Sequence, residues 1–526
     1  MRETRRQLTP VFWIAGGLSL AFVAWGVVSS KSLSAVTKAA QDFVVADFGW
    51  LYLIATTLFL VFALYLALSR FGHMKLGKDE DEPEFSRFVW FALLFQAGMG
   101  IGLVFWSVSE PVHHFGVDPP YGLAAPGTTH AADVALRYAF FHWALHPWAI
   151  YAVIALALAY FNFRHDRPGL ISAVLRPIFG QRMDGALGYF IDILAVLATL
   201  FGVAVSLGLG ALQINSGLSF TFGFPQGSGA QTVIIAVTTV VFIASAVTGI
   251  QRGIKWLSSA SLVVAGLLML FVLVTGPTLT QLNAFTQGTG SYLGDLIPMS
   301  FRLNAFAKDD WAAQWTLFYW ATWISWAPFV GSFIARVSRG RTIREFIAAV
   351  LLVPSLLSFA WFGVFGGAGI EIDRATGGLI SRAVEGNEAV GLFTFFQQLP
   401  LGLVTSTIAI VLVFIFFVAG ADAGTIVLSR FTAGGVLAPS KVIQVIWGLV
   451  MGAVAAILLV AGGLDALQQA SILAALPFVF VILAMCVALY RGLNEETRGR
   501  EEEPREVARA GGMPLSPAAG GRPGEG

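Results

Sequence analysis

Residues 88–109 read FVWFALLFQAGMGIGLVFWSVS, twenty-two positions without one ionisable side chain. A stretch of about 20 such residues crosses a bilayer as a helix. Yet Gly98-Met99-Gly100-Ile101-Gly102 places glycine at three of five positions near its middle. Glycine weakens a helix and lets a ligand approach the backbone. At such a break, freed amides and carbonyls can meet a carboxylate or a cation. Alone, the pattern better fits close helix packing through small residues.

Working outward, the chain has 526 residues, of which 56% are hydrophobic and 12% charged, with 57 glycines and a mean hydropathy of +0.75. This excludes a soluble enzyme, a disordered protein and a basic nucleic-acid binder; the net charge of +1 implies no strongly charged partner. Cys486 is the single cysteine, so there is no disulfide framework and no cysteine-rich metal site. Twelve apolar spans are expected, at 11–29, 48–69, 88–109, 134–161, 187–213, 232–250, 256–276, 313–335, 344–366, 401–429, 440–461 and 468–490. The first has a basic leader but no clear cleavage site, and is read as a retained helix. Of the 32 Lys and Arg, 25 fall on the side of the two termini and the even-numbered loops, and six on the other, with Arg137 at the mouth of the fourth span. Positive charge stays cytoplasmic, so both termini are expected inside. The expected fold is an all-α integral membrane protein with a cytoplasmic N-terminus over 1–10, a membrane domain over 11–490 and a solvated, disordered cytoplasmic tail over 491–526. The alternative for that tail is contact with anionic lipid. Residues 291–308 are too polar to span, and read either as an interfacial amphipathic helix or as a loop.

A second interruption is expected in the eighth span, at Trp326-Ala327-Pro328-Phe329-Val330-Gly331. If spans three to seven and eight to twelve, about 88–276 and 313–490, are inverted five-helix repeats, both breaks fall in the first helix of a repeat, where repeat-built carriers hold their substrate. Aromatics gather on the same spans. The fourth carries His142-Trp143-Ala144-Leu145-His146-Pro147-Trp148 and then Tyr151. At about 100° per residue, Trp143, Tyr151 and Trp148 share one broad face, with a kink expected at Pro147. Trp320, Trp323 and Trp326 follow i, i+3, i+6 spacing in the eighth span, which also suggests a shared face. A single tryptophan is most simply a lipid-interface anchor. Two such clusters beside broken helices instead suit a quaternary ammonium, which donates no hydrogen bond and is held by ring faces.

Intramembrane charge is sparse. Glu110, Asp192, Asp422, His142 and His146 each read either as a proton carrier or as a satisfied structural group. No set has metal-ligand spacing, nucleophile–base pairing or a phosphate loop. An enzyme, a channel and a non-transporting receptor are therefore weaker readings than a carrier, and no cofactor is expected.

Together these residues resemble the betaine/carnitine/choline transporter family over about residues 10–490. The resemblance rests on Gly98-Met99-Gly100-Ile101-Gly102 with Glu110-Pro111, His142-Trp143 through Tyr151, Phe318-Tyr319-Trp320 through Gly331, and Ser338-Arg339-Gly340-Arg341-Thr342-Ile343-Arg344-Glu345-Phe346. It implies two N-terminal helices plus a five-plus-five inverted repeat, a plasma-membrane carrier, a quaternary ammonium substrate and a homotrimer. It also implies an aromatic box of Trp143, Trp148, Tyr151 and Trp323, with Trp326 on the cytoplasmic route and Gly98, Met99, Gly100 and Gly102 against the substrate. Choline carriers of the family tend to have Asp where this chain has Gly102, which favours a zwitterion such as betaine. Choline uptake and carnitine-type exchange stay open, because Thr322 stands where betaine-selective relatives have tryptophan.

The resemblance also bears on the driving ion. Sodium-coupled members have a Thr-Ser pair where this chain has Ala419-Gly420 before Ala421-Asp422, and a second threonine where it has Val203, one turn from Thr199. Exchangers carry a basic residue near Ser258-Ser259-Ala260-Ser261-Leu262; here only Lys255 is close in sequence. Gln96 is a polar group suited to part of a missing ion site. The expected carrier is sodium-independent and proton-coupled.

Overall fold

The computed structural model describes residues 7–98, 100–248, 251–306 and 310–510; for 95–98, 246–248, 251–259 and 500–510 only the backbone is described. The expectations for Met99, for the side chains of Gln96 and Lys255, and for the end of the tail lie outside the described residues.

Among the described residues the regular structure is helical. The principal helices are α1 (Pro10–Val28), α2 (Ser30–Leu68), α3 (Arg87–Gly98), α4 (Ile101–Gly116), α5 (Thr129–Trp143), α6 (Leu145–Ala159), α7 (Ala186–Phe222), α8 (Ser228–Thr248), α9 (Gln251–Thr275), α10 (Thr278–Gly294), α11 (Phe318–Val337), α12 (Ile343–Ala375), α13 (Leu379–Gly386), α14 (Gly402–Thr432) and α15 (Lys441–Ala510). Their ends follow local chemistry. Thr9 caps α1 with Pro10 just inside, Ser29 caps α2, and Thr128 caps α5. Thr342 caps α12 by accepting from the Glu345 amide, and α7 ends on left-handed Gly223. α15 is interrupted at Gly462 and Gly463, the latter with φ of 59°.

Eight described helices are long and apolar enough to cross a membrane, or up to nine counting the 260–275 and 278–294 pair, which is bent by 113°. Polarity is arranged accordingly. Val233, Val240, Leu267, Val274, Leu352 and Leu449 are more than half exposed, while Ser107, Glu110, His114, His142 and Thr199 are fully buried. Apolar side chains outside and polar ones inside suit a hydrocarbon surround. The chain is a multi-pass membrane protein.

α11 packs against α6, α7 and α15, and α4 against α5 and α12, so the aromatic-rich helices meet at the centre. At one end, segment 69–86 is stitched to segment 338–345. Lys75 and Thr342 form an antiparallel bridge. Leu76 N–H donates to the Arg341 carbonyl at 2.8 Å, and Arg339 grips Asp81 through two hydrogen bonds of 2.9 Å. Gly340, with φ of 81°, lies so close to Glu82 that a Cβ would sit 2.6 Å from its carbonyl carbon.

Three expectations are corrected. The eighth span is not broken at Pro328: α11 runs through it, since proline removes only one ladder bond here, and the irregularity is a π-turn at Ala313–Leu317. In the fourth span the break is at Ala144 (φ −109°, ψ −123°), with Pro147 accommodated in the first turn of α6. Residues 291–294 end α10, Leu296–Ser300 form a short helix, and 301–306 are irregular. Finally, α15 continues as helix to Ala510, beyond the expected end of the last span.

Candidate functional site

The break between α3 and α4 borders a small, ring-lined cavity. Gly100 takes φ −145° and ψ −134° and caps α4 without any side-chain hydrogen bond. Among the described residues no cap side chain bonds the N-terminal amides of α4. A helix N-terminus carries roughly half a positive charge and binds anionic groups. Around it stand Trp106, Trp143, Phe318, Tyr319, Trp323 and Trp326, with Ser206 and Thr322 supplying hydroxyls; no lining residue is ionised. Gly102 is needed for the close approach of Trp143, because a Cβ there would lie 3.1 Å from the indole ring.

The rings are held by tertiary hydrogen bonds. Trp323 Nε1 donates to the His142 carbonyl at 3.0 Å, using an oxygen left free at the α5–α6 break. Trp326 Nε1 donates to the Gly202 carbonyl at 2.7 Å. Trp143 and Trp323 meet edge to face at 5.0 Å, and Tyr319 stacks over Trp323 at 6.3 Å.

Behind this wall lies the fully buried carboxylate of Glu110. Its Oε2 accepts from Trp143 Nε1 at 2.9 Å and from the Tyr319 hydroxyl at 2.5 Å, and its Oε1 lies 2.7 Å from His142 Nδ1. His114, one turn along α4, brings Nε2 to 3.7 Å from Oε1. His142 Nε2 reaches Thr316 Oγ1 at 3.0 Å. The sequence gave no sign of this grouping, in which Glu110, His114 and His142 have the residue types and proximity to hold a metal ion. A cation would have to displace the short His142–Glu110 bond, and both carboxylate oxygens are already engaged, so the donors are committed to one another.

Of the anticipated site residues, Gly100, Gly102, Trp143, Trp323 and Trp326 line the cavity. Trp148 and Tyr151 form a layer behind it, with Tyr151 edge-on to Trp323 at 6.1 Å and to Trp148 at 5.6 Å. Gly98 ends α3. Trp320 does not share the cavity face; it stacks on His146 at 5.4 Å, because each i+3 step turns the stripe by about 60°. Tyr319 and Trp106 were not anticipated as lining residues, although Tyr319 lies within the quoted aromatic motif. Ala419 and Gly420 lie on α14 and offer no side-chain oxygen. Among the described residues, Thr199 Oγ1 and Asp422 Oδ1 are buried without a hydrogen-bond partner. Asp192 is structural, accepting from the Ser172 amide and hydroxyl at 2.9 and 2.7 Å.

A second, wider cleft lies beyond Trp106, which borders both spaces. Among the described residues, Asp42, Asp310, Glu388 and Asp465 line it with Lys38 and His113. Such a surface attracts cations.

The family model described as BCCT, betaine/carnitine/choline family transporter, matches residues 10–498. The glycine betaine transporter OpuD of Bacillus subtilis is 48% identical, over 94% of this chain and 96% of its own length. A probable glycine betaine transporter of Desulfitobacterium hafniense is 44% identical (92% and 97% covered). The ectoine/hydroxyectoine transporter of Virgibacillus pantothenticus is 41% identical (94% and 98%). This chain belongs to the betaine/carnitine/choline transporter family. It is a transporter and not an enzyme.

Proposed function

We propose that this protein is a secondary carrier importing a zwitterionic quaternary ammonium solute of the glycine betaine type. One observation carries the reading: a single cavity presents aromatic faces and an uncapped helix N-terminus, with no ionised side chain. Trp143, Trp323 and Tyr319 face the trimethylammonium head, with Trp148 and Tyr151 backing them. The α4 amides near Gly100 and Gly102, with Ser206 or Thr322, meet the carboxylate. A zwitterion brings its own countercharge, so the wall needs none. The relatives named as glycine betaine transporters support this choice.

The architecture we propose has twelve spans. α3 with α4 and α5 with α6 each count as one broken span, and α15 as two separated at Gly462–Gly463. The inverted repeats begin at α3 and at the π-turn before α11. Both termini face the cytoplasm, the acidic cleft faces outward, and the assembly is a trimer in the plasma membrane. Import is sodium-independent and proton-coupled, with Ala419 and Gly420 as the reason. Uptake of labelled glycine betaine into proteoliposomes, with sodium and proton gradients imposed separately, tests this. Accumulation under the proton gradient alone is expected; accumulation under sodium alone refutes the coupling, and no transport or binding of betaine refutes the substrate class.

A further inference from the structure

We propose that Glu110, His114 and His142 form the proton-carrying centre of the carrier, and that Trp143 and Tyr319 tie its charge state to the shape of the substrate cavity. This rests on the proton-coupled reading above and names the groups that serve it.

The first argument is charge balance. All three side chains are fully buried. Among the described residues no Lys or Arg forms an ion pair with Glu110. The titratable groups facing it are His114 on its own helix, His142 from α5 and Tyr319 from α11. Farther out, His113 pairs with Glu388 at 2.5 Å. Asp373 of α12 is committed to the Ile380 and Ser381 amides at 2.7 and 2.9 Å. A buried carboxylate without a permanent cation is neutralised only by protons within its own cluster. His114 has room for one: neither of its ring nitrogens makes a hydrogen bond among the described residues.

The second argument is connection. Two walls of the cavity donate to the same oxygen of Glu110. Hydrogen bonds to an ionised acceptor are roughly twice as strong as neutral ones. A proton that passes to Glu110 itself therefore loosens Trp143 and Tyr319 together, and substrate that orders these rings changes the cluster's hold on its proton.

The third is access. His113, next in sequence to His114, lines the acidic cleft with Glu388, Trp106 and Trp315. His114 packs on the Trp315 ring at 4.4 Å. The step is a simple transfer. A proton from water in the cleft forms an N–H or O–H bond within the cluster; the same bond breaks when the proton passes to water on the other side, and no electron moves.

The test uses the full-length protein in liposomes without sodium. For wild type, an inward proton gradient should drive accumulation of labelled glycine betaine. In Glu110→Gln and His114→Gln, accumulation should fall at least tenfold, while in His114→Gln exchange of labelled for unlabelled betaine falls less than threefold. The pH dependence of betaine binding, read by tryptophan fluorescence, should flatten. His114→Gln leaves the Trp143 and Tyr319 contacts in place and decides the matter if Glu110→Gln does not fold. Gradient-driven accumulation persisting in both variants, or exchange lost in step with accumulation in His114→Gln, overturns the assignment alone. A wild type indifferent to the proton gradient overturns the coupled reading and the assignment with it.

Discussion

Two carboxylates fasten helices together in this molecule, by opposite means. Asp81 lies in the segment joined to 338–345 and is gripped by both arms of the Arg339 guanidinium. That hydrogen-bonded pairing holds the Asp81 carboxyl below its ordinary value. Glu110 is buried among two imidazoles, an indole and a phenol. The first pairs two fixed charges at a wet surface, where salt weakens it. The second pairs one charge with groups that gain or lose protons, where water does not screen it. A clamp and a switch thus use the same functional group, and the partners decide which it is.

The largest expected effect separates the two regions by stability. Glu110→Ala strands three donors and should cost about 3–5 kcal/mol, whereas Asp81→Ala should cost about 1 kcal/mol or less. Thermal unfolding in detergent measures both, and equal losses would break the comparison. Next, Trp323→Ala should weaken betaine binding by about 2 kcal/mol, roughly 30-fold in Kd. Titration of tryptophan fluorescence or calorimetry reads this, and unchanged affinity would remove Trp323 from the cavity wall in function. Gly340→Ala forces a side chain into a left-handed position against Glu82, and should lower stability by about 1–2 kcal/mol without altering Kd for betaine.

The smallest effect sharpens the contrast. Arg339→Ala should cost under about 1 kcal/mol in ~0.1 M salt and close to nothing in ~1 M salt, as the Debye length falls from about 10 to 3 Å. Its pH dependence has a definite sign. The Asp81 carboxyl is more acidic folded than unfolded. The pairing therefore stabilises above the unfolded value of about 3.9 and is lost as pH falls through the folded one. Wild type and Arg339→Ala should differ in unfolding temperature by a constant amount between about pH 5 and 8, and converge only below about pH 4.

How far the sequence foretold these features depended on where each was encoded. The break before Gly100 was legible because three glycines in five residues are a local signal. The break at Ala144 was not, since alanine is the best helix former. It is held open from afar, by Trp143 on Glu110, 33 residues earlier, and by Trp323 on the His142 carbonyl, 181 residues later. Pro328 misled in the opposite direction, because a well-packed helix absorbs one missing bond. Spacing offered Trp143, Trp148, Tyr151, Trp320, Trp323 and Trp326 alike, and the family resemblance singled out Trp323 and Trp326 from their stripe. Tyr319 could not be chosen, since its place follows from which way α11 is turned against α5. The Glu110 cluster was invisible for the same reason: its members come from helices whose contact only the fold defines.

The uncharged wall of the cavity has an electrical consequence. A zwitterion crossing such a site moves no net charge, so the membrane potential does no work on the cargo. If one proton accompanies it, all of the electrical work is delivered through that proton, about 2.3 kcal/mol per 100 mV. That is roughly a 50-fold accumulation ratio at each 100 mV, before any pH difference is added. A single acidic residue in place of Gly102 would redistribute that work between cargo and ion, and so change what the cell's voltage can concentrate.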